Sequence, residues 1–251
     1  MRTGAIAMID ALGFKGVWNR PEVKDDPERV IQKLKELRKA TVLDGSGHDF
    51  RIEAPQAMFL SDTIVVSIAI TPKNQPSDPE WTSNWTQDAK LGMALHQVAL
   101  YVKTLMNRAL SEQPKFAYRG CISVGRFDAQ ETFILGPAVD EAAELMDRAQ
   151  GAFVWLAPSA RRFSFPEGQA EPWLGLHRYA VPLKGGDDYV THVVTPFEIV
   201  SSAEERQAVK RALLETFNGP SFDVELKRQN TEAFLESALE AAPWHEQRAR
   251  R

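Results

Sequence analysis

The sequence holds a single cysteine, Cys121, so neither an internal disulfide nor a cysteine-based zinc site can form. That cysteine lies in the apolar run YRGCISVG, the usual setting of a buried free thiol. No apolar stretch reaches the ~20 residues needed to cross a bilayer. The N-terminus lacks the basic segment and long apolar core of a secretory signal. A reducing cytoplasm is therefore the expected location, with no membrane partner. Positive charge is not in excess either. The formal net charge is −4, which argues against a nucleic-acid-binding surface, although a local phosphate site needs only a few cations and backbone N–H groups. The five histidines, His48, His96, His177, His192 and His245, show no spacing of the His-x-x-x-His kind, so no histidine metal site is expected. Internal repeats and low-complexity linkers are also missing.

What the chain does have is enough apolar material for a core. It has 251 residues, 43% of them hydrophobic, which suits one large domain or a domain with an appendage. Residues 5–10 read as a buried strand. Residues 27–42 read as an amphipathic helix, with Val30, Ile31, Leu34 and Leu37 on one face and Pro27 near its start. The segment APQAMFLSDTIVVSIAI (54–70) reads as two strands bent around Ser61-Asp62. A loop rich in Pro, Asn, Ser and Asp follows over 71–87, with Trp81 and Trp85 in it. Residues 88–111 form the most regular helix, with Leu91, Leu95, Val98, Val102 and Leu105 at helical spacing. That face, together with the strand AFVWLAP (152–158), is a possible dimer surface. Residues 116–136 read as a hairpin turning near 125–130, residues 137–150 as a helix, and 186–197 as another strand. The tail over 201–242 reads as two further helices. Irregular alternation with several hairpins favours an α/β sandwich with a largely antiparallel sheet over a doubly wound one. A main domain over 1–200 and a helical extension over 201–251 packed on it are expected.

Chemistry enters through AIAMIDALGFKGVW (5–18). Its apolar run ends in Asp10 and then a glycine-bearing turn. Asp62 likewise interrupts an apolar stretch. Neighbouring strands would bring the two carboxylates together, where they repel unless a cation lies between them. Carboxylate oxygen is the preferred ligand of Mg²⁺ and Mn²⁺, and Mg²⁺ usually shares its shell with substrate phosphates. The turn ALGFKG could present N–H groups to such a phosphate. The alternative is that both acids are turn-forming or capping residues. Trp18, Trp155 and Trp173 either line a pocket or fill the core, and Ser61 is either a phosphate contact or a turn hydroxyl.

Four segments in order resemble the class III nucleotidyl cyclases. MIDALGFKGV is similar to that family's opening Phe-x-Asp-(Ile/Leu)-x-Gly-Phe motif. AMFLSDTIVV resembles its aspartate-tipped hairpin. YRGCISVG resembles its Arg-x-Gly-Ile-x-x-Gly strand. ILGPAVDEAAELMDRA resembles its Trp-Gly-x-x-Val-Asn-x-Ala-x-x-Leu-Glu helix. The likeness spans residues 5 to about 197. It implies a cyclase-like fold and a homodimer with its active sites at the interface. It also implies two divalent metal ions, Mn²⁺ or Mg²⁺, on Asp10, the Ala11 carbonyl and Asp62. Phosphate binding falls on Leu12, Gly13, Phe14 and Lys15, with Lys184 added as a cation.

Where the family's purine cyclases read the base, this sequence has Met58 and Phe133. An apolar pair suits a base held by stacking and backbone contacts. The family's transition-state Asn and Arg correspond to Asp140 and Glu144, which oppose developing negative charge. Arg148, one turn on, is the candidate replacement cation, with Lys15, Arg126 and Lys184 as further ones. In these respects the chain most resembles the pyrimidine cyclases of bacterial Pycsar antiphage defence. That likeness implies UTP as substrate and cyclic UMP as product, with CTP and cyclic CMP as the alternative, and a separate cyclic-nucleotide-binding effector. A catalytically silent cyclase-like domain that binds a nucleotide or a partner is the second expectation.

Overall fold

Ten residues, Arg2–Ala11, form the strand β1 around which the rest is arranged. The computed structural model describes residues 1–41, 52–70, 85–130, 133–166, 175–197 and 201–241. Most of the expected 71–87 loop, Trp81, Trp173, His48 and His245 lie outside them. β1 is buried on both faces, which is why it reads as a nearly unbroken apolar run. β2 (Gln56–Leu60) and β3 (Thr63–Ala69) form the hairpin expected around Ser61-Asp62. β4 (Tyr118–Ala129), β5 (Ile134–Leu135), β6 (Val154–Leu156), β7 (Leu176–Pro182) and β8 (Asp188–Val194) complete one sheet of order β2-β3-β1-β4-β6-β8-β7, with β5 paired to β4. Among the described residues only β4 and β6 run parallel; the other pairs there are antiparallel.

Helices cover both faces, as the α/β sandwich reading requires. Short helical turns at Phe14–Asn19 (3₁₀), α1 (Pro21–Lys24) and α2 (Glu28–Thr41) follow β1. The long α3 (Gln87–Ser111) starts where the Thr86 side chain accepts from Ala89 N–H at 3.1 Å, satisfying one of the orphan donors of its first turn. α3 lies against Ala5, Ala7 and Ile9, while α4 (Pro137–Leu145) lies against Ile6 and Met8 on the other face. This is the two-residue alternation of a strand. Among the described residues no helix is long and apolar enough to cross a membrane.

Several expectations change. Leu91, Leu95, Val98, Val102 and Leu105 are at most 5% exposed within this one chain, and β6 is buried as well. That face is core and is not available to a second copy. The 116–136 hairpin forms, with β4 and β5 antiparallel, but it turns at the far end of the expected 125–130 stretch: β4 runs straight through Gly125, opposite Gly4, and Gln130 N–H closes the turn on the Phe133 carbonyl at 2.9 Å. The helix over 137–150 ends at Leu145, because Ala149 pairs with Leu183. The strand over 152–158 is three residues long and leads into the turn α5 (Pro158–Arg161). The 186–197 strand has an unforeseen partner, β7, reached through Gly185 and Gly186, both with positive φ.

The tail forms α6 (Ala203–Leu214), with a Ser202/Glu205 capping box, and α7 (Phe222–Ala241). Phe234, Leu235 and Ala238 of α7 are buried with Phe153, Trp155 and Val193. Phe234 stacks edge-on against Phe153 and Tyr179 at ring distances of 5.5 and 5.2 Å.

Gly120 shows how tightly the centre is built. A Cβ there would collide with the Met8 carbonyl oxygen and press on Ile9, all of it backbone or core with no room to yield. Gly120→Ala is expected to cost about 1–3 kcal/mol, the usual range for overpacking, read as a lower midpoint in urea unfolding.

Candidate active site at the ends of strands 1 and 3

Asp10 and Asp62 do meet at one end of the sheet. β1 and β3 are adjacent and antiparallel, with Asp10 opposite Thr63, so Asp62 stands one residue beyond. Ala11 N–H donates to the Asp62 carbonyl at 3.3 Å. Ser61, at the hairpin tip, takes φ 62°, a left-handed conformation that lets two residues close the turn. Its role here is that of a turn residue.

Asp10 is 19% exposed in its side chain, and the Arg119 Nη2 approaches its Oδ2 at 3.5 Å. Thr63 Oγ1 donates to its Oδ1, also at 3.5 Å. Burial and then the neighbouring Asp62 charge raise the Asp10 carboxyl above the ordinary range; Arg119 and Thr63 oppose the rise. Tyr118, beside Arg119 on β4, has a buried hydroxyl without a hydrogen-bond partner among the described residues. Burial, then Asp62 and Asp10, hold its proton on well above the usual phenol range.

A patch of alternating charge continues from here. Arg119 Nη1 also donates to the Asp147 carbonyl at 3.3 Å. The Asp147 carboxylate accepts from Lys184 Nζ at 3.0 Å, and Lys184 N–H donates to the Arg148 carbonyl at 2.8 Å. Asp147 is held below the usual carboxylate range, first by the Lys184 hydrogen bond, which burial opposes, and then by the Lys184, Arg119 and Arg148 charges. Three cations thus gather around Asp147, and one of them, Arg119, also stands beside Asp10. Sequence reasoning named Lys184 and Arg148 but gave Arg119 and Tyr118 no role. The signal was present: YRG faces DA across an antiparallel pair, Arg119 opposite Asp10 and Tyr118 opposite Ala11.

Other expected residues fall unevenly. Leu12 N–H is committed to the Ala117 carbonyl at 2.8 Å, so it cannot hold a phosphate. Gly13 takes φ 71° and opens the 3₁₀ turn that Phe14 and Lys15 begin, where the first N–H groups lack helical partners. Lys15 is exposed. Arg126 stands opposite Thr3, seven rungs from Asp10, roughly 23 Å along the strand, and is no part of this site. Asp140 and Glu144 are exposed on α4. Glu144 Oε1 pairs with Arg148 at 3.8 Å, which neutralises the acid that opposed a phosphate. Met58 packs against Ile6, Met8, Val65 and Phe127, in the cluster that also takes Ile134, while Phe133 next door is 48% exposed. Trp155 is core, and Trp18 stands 46% exposed at the edge of Phe14.

The donor set suits a hard divalent cation. Asp10 and Asp62 offer carboxylate oxygens whose mutual repulsion a cation would relieve. Among the described residues, no three His, Cys, Asp or Glu side chains converge on one point. Two protein carboxylates match an ion that completes its shell with ligand phosphates and water.

The strain at Asp10 carries a stability prediction. Its folded-state pKa lies above the unfolded value, so the folded chain holds that proton to higher pH. Its stabilising contribution is present below the unfolded value of about 3.9 and is lost as pH rises through the folded pKa. Asp10→Asn is therefore expected to raise the melting temperature at pH 7 by a few degrees, on the scale of about 2–4 °C per kcal/mol. The gain should vanish near pH 3. Calorimetry at both pH values checks it, and a loss of stability at pH 7 would show that the Arg119 contact outweighs the repulsion.

No protein-family model matches the sequence, and no curated protein does. Among solved structures, the catalytic core of a rhodopsin-guanylyl cyclase with converted specificity is similar at 11% identity, over 77% of this chain and 95% of that one, with a TM-score of 0.47. An adenylate/guanylate cyclase/hydrolase from Silicibacter pomeroyi is similar at 16% identity, over 78% of this chain and all of that one, with a TM-score of 0.41. An adenylate cyclase from Trypanosoma brucei is similar at 12% identity, over 77% and 87%, with a TM-score of 0.41.

Proposed function

We propose that this chain is a cytoplasmic nucleotide cyclase that converts UTP to 3′,5′-cyclic UMP and pyrophosphate, as a second-messenger signal in bacterial antiphage defence. The observation that carries the proposal is the pair Asp10–Asp62 at adjoining strand ends, where burial and then the Asp62 charge raise the Asp10 carboxyl above its ordinary range. The four motifs in family order point the same way. Divalent ions held by Asp10, the Ala11 carbonyl and Asp62 would supply charge neutralisation of the triphosphate and a more acidic ribose 3′-hydroxyl. Gly13, Phe14 and Lys15 offer N–H groups and a cation to the phosphates. Arg119, Arg148 and Lys184, gathered around Asp147, are the cations this reading assigns to balancing charge on a displaced pyrophosphate. They take the part that Asp140 and Glu144 cannot play. Met58 lies two rungs from Asp10. Phe133, beside Ile134 opposite Ala129, is farther from the Asp10 of its own chain than Arg126 is, so Phe133 would come from the second copy of a homodimer. An apolar pair in place of hydrogen-bonding side chains favours a pyrimidine read by stacking and backbone contacts, UTP before CTP. The active unit is a homodimer, and the exposed Leu60, Phe133 and Leu135 provide apolar surface for it. The cyclic product acts on a separate cyclic-nucleotide-binding effector.

One observation favours a second function. Arg119 already places positive charge 3.5 Å from Asp10, so the site is tolerable without metal, as in a silent domain that only binds a nucleotide or partner. Pyrophosphate release separates the two. With UTP and Mn²⁺ the cyclase releases one pyrophosphate per nucleotide consumed, and chelation stops it. UTP binding without release in either metal would favour the silent domain.

A further inference from the structure

On the face of the sheet opposite Asp10, residues of α5, β7 and β8 line a cavity of about 510 Å³, a size typical of small-ligand sites. Arg161, Arg162, Arg178, Phe165, Val190 and His192 line it, and among the described residues no carboxylate does. Arg162 is engaged, 3.7 Å from Asp88 and over the Phe163 ring at 4.4 Å. Arg161 and Arg178 have no ion-pair partner among the described residues. Like charges lining one cavity repel, so three guanidinium groups of which only Arg162 has an acid beside it leave a surplus that an anion would relieve. Guanidinium forks match phosphate oxygens in geometry.

A second observation also points to a ligand. His192 is 5% exposed, and its Nδ1 has no hydrogen-bond partner among the described residues, an expensive state for a buried polar atom. Burial, then the Arg178, Arg161 and His177 charges, bring its pKa down to about 4, so the ring is neutral at pH 7. It can offer a hydrogen bond to a ligand group without repelling a cation. Phe165 meets the His192 ring edge-on at 5.3 Å. It stays 38% exposed, and Val190 stays 40% exposed. An exposed aromatic face beside unpaired arginines is the combination that takes a flat ring joined to a phosphate.

We infer that this cavity is a second binding site, remote from Asp10, for a small phosphate-bearing ligand with a flat ring, of nucleoside-monophosphate size. Arg161 and Arg178 take the phosphate, His192 Nδ1 a polar atom, and Phe165 the ring. The inference does not depend on the cyclase proposal, because it involves none of the same residues.

Calorimetric titration of the full chain tests it, with the four ribonucleoside 5′-monophosphates, the matching nucleosides and inorganic phosphate as probes. At least one monophosphate should bind ten-fold or more tightly than its nucleoside and than phosphate alone. Arg161→Ala and Arg178→Ala should each weaken it ten-fold or more, with an unchanged melting temperature because both side chains are exposed. Asp10→Asn should leave the affinity unaltered. Binding that survives both arginine changes would overturn the assignment, as would binding lost in Asp10→Asn, a nucleoside that binds as tightly as its monophosphate, phosphate alone binding as tightly as the nucleotides, or no binding at millimolar concentration.

Discussion

Asp62→Ala is expected to lower cyclic nucleotide formation by about 10²–10³-fold, the scale of losing one preorganised electrostatic element from a catalytic site. The fold should survive. Asp62 sits at a hairpin tip, and its recorded hydrogen bond uses its backbone carbonyl, which Ala keeps. Two readouts belong together: product formation under saturating Mn²⁺ and an unfolding curve. Activity within a few-fold of wild type in a folded variant would remove Asp62 from the site. The change also lifts a like charge from Asp10, so the variant should be as stable as wild type or slightly more so. Greater stability at the expense of activity is the pattern of a site kept under electrostatic tension.

Phe234→Ala is expected to destabilise the chain by about 3–5 kcal/mol, the range for large aromatic truncations in a core. For a chain of this length that lowers the melting temperature by roughly 10 °C. Phe234 is 1% exposed and wedged between Phe153 and Tyr179. The prediction concerns organisation: a tail merely lying on the surface would lose under 1 kcal/mol. Cutting the chain at residue 200 should uncover Phe153 and Trp155 and yield an aggregating product, visible by light scattering.

The legible parts of the fold were those with local periodicity. β1 and α3 declare themselves because one is apolar on both faces and the other repeats at helical spacing. The β2–β3 hairpin was legible because Ser61-Asp62 breaks two apolar runs. β7 was not. Its sequence LHRYAVP mixes polar and apolar residues because one face covers α7 residues while the other lines a basic cavity. Nothing local says that such a stretch pairs with β8. The turn expected near 125–130 comes at the end of that stretch for a related reason: Gly125 lies opposite Gly4 within the sheet, and its meaning is set by a residue 121 positions away.

The site divides the same way. Asp10 and Asp62 could be paired from sequence because each breaks an apolar strand. Arg119 could not be assigned, since its nearness to Asp10 comes from strand register. Arg126 looked equivalent to Lys184 as a cation, and only the register separates them by the length of β1. Leu12 shows the limit of motif transfer: its N–H closes the ladder with Ala117, so the phosphate-binding turn begins one residue later.

The central claim is that this site cyclises a pyrimidine nucleotide. Its most direct test is to incubate the purified chain with Mn²⁺ and an equimolar mixture of the four ribonucleoside triphosphates, then identify the cyclic products by mass. The account predicts 3′,5′-cyclic UMP as the main product, with cyclic CMP as the next. Cyclic AMP or cyclic GMP as the main product, or no cyclic nucleotide from any of the four, would contradict it.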